Sequence, residues 1–269
     1  YMIDQPMRGR SAPHPGDGAT RMFTAQNEQF QFTAIETDGT WPGREKHTQW
    51  PGSGPNKGKK GDPYFDAFYA TQVETVLSPE LTQQRNQDAT AALLDKIGPA
   101  VILTHSQSGS FGWLIADARP KLVKGIIAIE PAGPPFEAVI IGTGKTRPWG
   151  LTDIKLTYDP PTNSPDELAT VPEEKADGPD LTICTMQKAP ARQLPNLKGI
   201  PIVVIAGEAS YHRLYDHCTV KYLNQAGAKA EWMPLDSKGV HGNGHMVMIE
   251  KNNLEVAKVI DDWAKKNVK

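Results

Sequence analysis

Apolar residues along the chain gather into short continuous runs, separated by longer stretches with helical spacing. Val101-Ile102-Leu103, Val123 to Ile129 and Ile200 to Ala206 are runs of strand length without polar alternation. Such runs are typical of strands covered on both faces, as in parallel sheets. Between them, Ser78-Pro79-Glu80 is a helix start, with Ser at the cap and Pro in the first turn. This helix runs to about Ile97, where Gly98 closes it. A second is predicted at about Gly109 to Ala118, ending before Pro120. Further along, the pattern predicts a helix at His212 to Ala226, a strand at Ala230 to Leu235 and an amphipathic helix at Met246 to Lys266. Tyr1-Met2-Ile3-Asp4 reads as the end of a buried strand. The alternation predicts an α/β fold with a mostly parallel sheet flanked by helices.

Two stretches break the pattern. Residues 12–69 are rich in Gly, Pro and polar residues, and Trp50 to Asp62 is a loop whose lysines form a solvated face. Ala132 to Leu197 is crowded with prolines but keeps Trp149, Leu151, Tyr158, Leu181 and Ile183 to bury. It reads as an inserted cap. The expected organisation is a first core part at 1–131, a cap at 132–197 and a second core part at 198–269.

Composition narrows the function classes. The 29 basic and 31 acidic residues leave a net charge of −2, which gives no electrostatic reason to expect nucleic acid or an anionic membrane as partner. No apolar run reaches the roughly 20 residues of a membrane span. Cys184 and Cys218 can pair or stay free, and the sequence does not decide.

The candidate chemistry sits in Val101-Ile102-Leu103-Thr104-His105-Ser106-Gln107-Ser108-Gly109-Ser110. An apolar strand, a tight turn and an immediate helix form the setting of a nucleophile elbow. Centring on Ser106 lets the turn follow Leu103 directly, with Thr104 and Ser108 in the two positions that must be small. Centring on Ser108 requires the strand to continue through His105. Ser106 is therefore the preferred nucleophile and Ser108 the alternative. A serine needs a base, and His245 follows Gly244 beyond the last strand. His241, in the same glycine loop, is read as a bracing or substrate-side residue. His241 and His245 have the spacing of metal ligands, but a Gly-Asn-Gly interior is not helical and Gly242 stands where a zinc protease needs Glu. No metal is expected. For the acid, Glu130 ends a buried strand on the ligand-binding rim of such sheets. It is preferred to Glu208, which follows Gly207, because Ser210 occupies the more usual Asp position. The glycine-rich Gly142-Thr143-Gly144-Lys145-Thr146 is not a phosphate loop, since Val139 replaces its first glycine.

Together, Asp4-Gln5-Pro6-x-Arg8-Gly9-Arg10-Ser11, His105-Ser106-Gln107-Ser108-Gly109, Ile129-Glu130-Pro131 and Gly239-Val240-His241-Gly242-Asn243-x-His245-Met246 resemble a group of bacterial and fungal α/β-hydrolase esterases. The resemblance covers Tyr1 to about Ala132 and Leu197 to Lys269, and fades through the cap. It implies a triad whose acid comes from the strand after the nucleophile: Ser106, His245 and Glu130, with the backbone N–H of Gln107 as oxyanion donor. Met7 stands where that group prefers Gly. The resemblance also implies that three strands and a second oxyanion donor precede Tyr1, so that the 269 residues are a fragment of a longer enzyme. The expected reaction is carboxylic ester hydrolysis through an acyl-enzyme, without a cofactor, on a small-molecule ester. A lactonase or thioesterase on the same triad, and a non-catalytic binding protein, are the alternatives. A homodimer is left open, and a secreted or periplasmic location is favoured.

Overall fold

The computed structural model describes residues 1–268. Its centre is a parallel four-stranded sheet of β1 (Ala100–His105), β2 (Val123–Ile129), β3 (Pro201–Ala206) and β4 (Lys229–Pro234), lying side by side in the order β4-β3-β2-β1. The pleat explains why the central strands are apolar throughout. Ile126, Ala128, Ile202 and Val204 point into one buried cluster, while Ile127, Ile129, Val203 and Ile205 point into another. Burial on both faces leaves no position for polar alternation. The fold is that expected from the pattern of runs.

Helices α1 (Pro79–Ile97), α2 (Gly109–Ala118), α3 (Asp216–Gln225) and α4 (Asn253–Asn267) flank the sheet. Ser78 caps α1 by accepting from the Leu81 N–H at 3.1 Å, as its sequence position requires. Leu94 of α1 and Trp113 and Leu114 of α2 fill the first cluster, together with Leu151, Leu156 and Leu194 from the proline-rich segment. Val256 and Trp263 of α4 fill the second. A Cys184–Cys218 disulfide ties the proline-rich segment to α3, settling what the sequence left open.

Four expectations are corrected. Tyr1 to Asp4 are not in a strand, and Tyr1 and Met2 are almost fully exposed, because no sheet edge lies beside them among the described residues. Strand β1 pairs with β2 on one side, and its Val101 and Leu103 are 37% and 54% exposed. That strand is thus apolar without being covered on both faces. The helix expected from His212 begins as a 3-10 turn at Tyr211–Leu214 and becomes α3 at Asp216. The helix expected from Met246 begins at Asn253. Glu250 delays it by drawing the preceding turn inward, accepting from the Gly244 N–H at 2.8 Å and from Asn243 Nδ2 at 2.7 Å. Residues 12–69, which lack periodicity, form short helical turns, including a π-helix at Gln29–Thr33.

Candidate active site

Strand β1 delivers its last residue, His105, in extended conformation, and Ser106–Ser108 then make one 3-10 turn before α2. The strand does run through His105, so the strand-length reason for preferring Ser106 does not hold. Conformation distinguishes the serines instead. Ser106 sits at φ 57°, a left-handed value that non-glycine residues adopt at a cost. Ser108 Oγ accepts from the His105 N–H at 2.9 Å and donates to the His105 carbonyl at 2.8 Å. Ser110 Oγ donates to the Gln107 carbonyl at 3.0 Å. Both are engaged with backbone, while Ser106 Oγ lies 2.9 Å from His245 Nε2. The close approach in this turn falls at Gly109, where a Cβ would come within 2.3 Å of Pro131.

His245 Nδ1 lies 2.5 Å from Glu130 Oε2. Glu130, fully buried and at φ 46°, also accepts from the Gly207 N–H at 2.7 Å and the Ser210 hydroxyl at 2.7 Å. Ser210, in the position where the sequence suggests an Asp, therefore supports the carboxylate from β2. Glu208 belongs elsewhere: it binds Lys46 at 3.2 Å, His241 Nδ1 at 3.1 Å and the Gly242 N–H at 3.1 Å. His241 is exposed and braces that turn. Gly207 must be glycine, since a Cβ there would come within 2.6 Å of the Asn243 and Gly244 carbonyls.

The imidazole of His245 is clamped by residues drawn from several elements. Phe32, from the π-helix, stacks on it at 4.8 Å, and His212 stacks at 5.0 Å with an interplanar angle of 12°. His105 Nε2 donates to the His245 carbonyl at 2.8 Å. Burial holds the His245 pKa well below 6.5, pushes His212 down to about 4 and His105 to about 3. All three rings are neutral at neutral pH, so His245 is free to take a proton. A second layer fixes the loop itself. Buried His47 bridges Glu36 and Glu250, each at 2.8 Å, and Glu250 holds the Gly244 N–H. The Ser210 position and His105, beside Ser106, are visible in the sequence; Phe32 and His47 lie far away in the chain, and Glu250, five residues past His245, is hidden within the helical spacing that follows it.

Ser106, Gln107 and His245 line a cleft of about 620 Å³. Trp149 and Tyr158 pack against the first cluster, Tyr158 buried and Trp149 partly so: the Tyr158 hydroxyl donates to the Trp149 carbonyl at 2.7 Å and lies 2.6 Å from that of Tyr222. Met7 adopts φ 65°, which explains the preference for Gly at this position. Among the described residues three clusters approach metal-ligand spacing, Glu130–His212–His245, Cys184–His217–Cys218 and Glu173–Asp177–Cys184, the last sharing the bonded Cys184 and holding Lys221. In the first, His245 Nδ1 is engaged with Glu130; in the second, the sulfurs are bonded to each other.

A parallel sheet with a left-handed serine between strand and helix, facing a histidine beyond the last strand, defines the α/β-hydrolase class. The chain is 46% identical over 269 residues to a probable secreted lipase, phiG, of a fungal species (strain ATCC 74256), covering 99% of this chain and 72% of the lipase. It belongs to the α/β-hydrolase family of that lipase. Its fold is also similar to that of a novel bacterial esterase solved at atomic resolution, at 24% identity and a TM-score of 0.53, covering 94% of this chain and 62% of that one. The chain thus spans less than two thirds of that esterase. No family model matches the chain.

Proposed function

We propose that the protein is a serine hydrolase that cleaves carboxylic esters through an acyl-enzyme. The observation that carries this reading is the continuous chain of short contacts from Ser106 Oγ through the His245 ring to Glu130, at 2.9 and 2.5 Å. Ser106 Oγ attacks the ester carbonyl carbon while its proton passes to His245 Nε2. The resulting oxyanion is received by the backbone N–H of Gln107. Collapse breaks the bond to the alcohol oxygen, which leaves with the proton from His245. Water then gives a proton to His245 as it attacks the acyl-serine carbonyl, and collapse breaks the bond to Ser106 Oγ, which takes that proton back from His245 as the acid is released. Glu130 keeps Nδ1 protonated and stabilises the imidazolium. Residues of the 132–197 segment, including Val139, Ile141 and Arg147, supply one side of the cleft and serve as the substrate-binding cap. The kinship with a lipase supports an ester as substrate.

An organophosphonate probe tests this directly. Intact-mass and peptide analysis should find a single adduct on Ser106, abolished in Ser106→Ala. An unlabelled wild-type protein, or a label on Ser108, would overturn the assignment.

A further inference from the structure

Five of the nine arginines are paired with carboxylates; of the other four, Arg44 lies outside the catalytic cleft and Arg21, at the cleft, is exposed over the Phe23 ring. Arg10, Arg85, Arg119, Arg192 and Arg213 each have a carboxylate within 4.0 Å: Asp4, Asp17, Asp95, Glu167 and Asp236 respectively. Arg8 and Arg147 line the catalytic cleft, are half-buried, and make no carboxylate contact of that kind among the described residues. Arg8 Nη1 donates to the side-chain oxygen of Gln107 at 3.0 Å. Arg147 donates to the Pro134 carbonyl from Nε at 3.0 Å and Nη2 at 2.6 Å, and also to the Glu137 carbonyl. Neutral acceptors position both guanidinium groups without neutralising them. Burial lowers the pKa of each, outweighing the opposing pull of Glu28 on Arg8 and of Tyr215, Asp153 and Glu137 on Arg147, none of which makes a direct ion pair with them. A partly desolvated, unpaired charge is costly, and this cost is taken twice on the walls of one cleft.

A second observation concerns the carboxylate that lines the same cleft. Glu28 is 1% exposed, and its Oε2 has no hydrogen-bond partner. Burial pushes its pKa up to about 7, with Arg8 acting in the opposite direction. At neutral pH and below, much of this group is a neutral acid that can donate a hydrogen bond. Two unpaired guanidinium groups and a protonated carboxyl are complementary to an anion, and the planar fork of Arg matches a carboxylate best. Phe32, Phe68, Val139 and Ile141 on the same walls suit a hydrocarbon stem.

We infer that the cleft selects esters carrying a free carboxylate on a short apolar stem, held by Arg8 and Arg147 with Glu28 as hydrogen-bond donor. This rests on the hydrolase reading above. The test compares anionic and neutral esters in two series, using the intact protein. One series places the carboxylate on the acyl side, with mono-4-nitrophenyl adipate against 4-nitrophenyl hexanoate. The other places it on the leaving alcohol, with 4-butyryloxybenzoate against phenyl butyrate. In one series the anionic ester should be preferred in kcat/KM by about 10- to 100-fold, the worth of charge-assisted hydrogen bonds. Arg8→Gln and Arg147→Gln should each bring the ratio towards 1. A ratio at or below 1 in both series, with the neutral esters turned over, overturns the anion site and leaves the hydrolase reading intact. Calorimetric titration of Ser106→Ala with adipate separates the opposite failure. Binding that Arg8→Gln weakens, in a protein whose wild type hydrolyses no ester, supports the anion site and overturns the hydrolase reading; absence of adipate binding counts against the site.

Discussion

The serine turn and the histidine loop meet at 2.9 Å, yet they are built in opposite ways. The turn is local. Its strand, 3-10 turn and helix are contiguous, Ser108 and Ser110 bond to backbone within three residues, and Gly109 admits the neighbouring Pro131. The loop around His245 has no regular structure of its own. It is held by Glu130 from β2, Phe32 from the π-helix, His105 from β1, His212 beside α3, and the buried His47–Glu250 pair. Ser106 is strained by its own short segment, whereas His245 is oriented by residues from across the chain. A local device can be read from a motif and a distributed one cannot.

Five measurements sharpen or break that contrast, beginning with the largest effect. Ser106→Ala should lower kcat by about 10⁶, as removal of a triad nucleophile does, while Ser108→Ala keeps most turnover. Near-normal rates for Ser106→Ala would move the nucleophile elsewhere in the turn.

Glu250→Ala tests the loop at a distance from the reacting atoms. It strands buried His47 and the Gly244 N–H, and should cost about 3–5 kcal/mol in urea unfolding and about 10²-fold in kcat through misplacement of His245. An unchanged kcat would show that the stacked rings suffice to hold the base. The pH dependence of this network has a definite sign. Burial opposes the charge on His47, but the hydrogen bonds it donates to Glu250 and Glu36, together with their charges, outweigh it and raise the pKa above 6.5. Stabilisation by His47 is therefore complete below 6.5 and lost as pH rises through the raised value. Hydrogen bonds to His47 and Lys57 outweigh burial at Glu36 and hold it at about 2, so its contribution is present above 4.5 and lost as pH falls towards about 2. The Tm difference between wild type and His47→Gln should shrink on the alkaline side.

Replacing both cysteines of the Cys184–Cys218 bridge by serine perturbs neither region. Stability should fall by about 2–4 kcal/mol with kcat unchanged, and a proportional loss of activity would mean that the site simply follows global stability. The smallest effect is expected at Glu28. Its pKa is raised, so its contribution is full below 4.5 and lost as pH rises through about 7. Glu28→Gln should match wild type in acid and exceed it at alkaline pH by roughly 1–2 kcal/mol, allowing for screening. Equal melting curves at alkaline pH would place Glu28 in water.

Much of the core was legible because a parallel sheet buried on both faces requires unbroken apolar runs, and β2 and β3 show them. Ser106, Glu130 and His245 were legible as residues that end strands or follow glycines, and the structure brings these three together. Strand length does not single out Ser106, since β1 extends to His105; its left-handed φ does. The last helix starts later than its hydrophobic spacing predicts, because that spacing continues through residues 246–252 while buried hydrogen bonds to Glu250 hold the backbone in turns. Met7 looked like an unexplained departure until its φ of 65° was seen.

The sequence by itself determined the strands, the helices that cover them and the short turn that presents a serine, because backbone propensity and periodicity act over a few residues. Only the tertiary structure decided which carboxylate meets His245, which rings clamp it, and that Arg8, Arg147 and Glu28 line one cleft. Those outcomes depend on burial and on contacts between residues as much as 203 positions apart, and burial that deep alters a side chain's charge as well as its position.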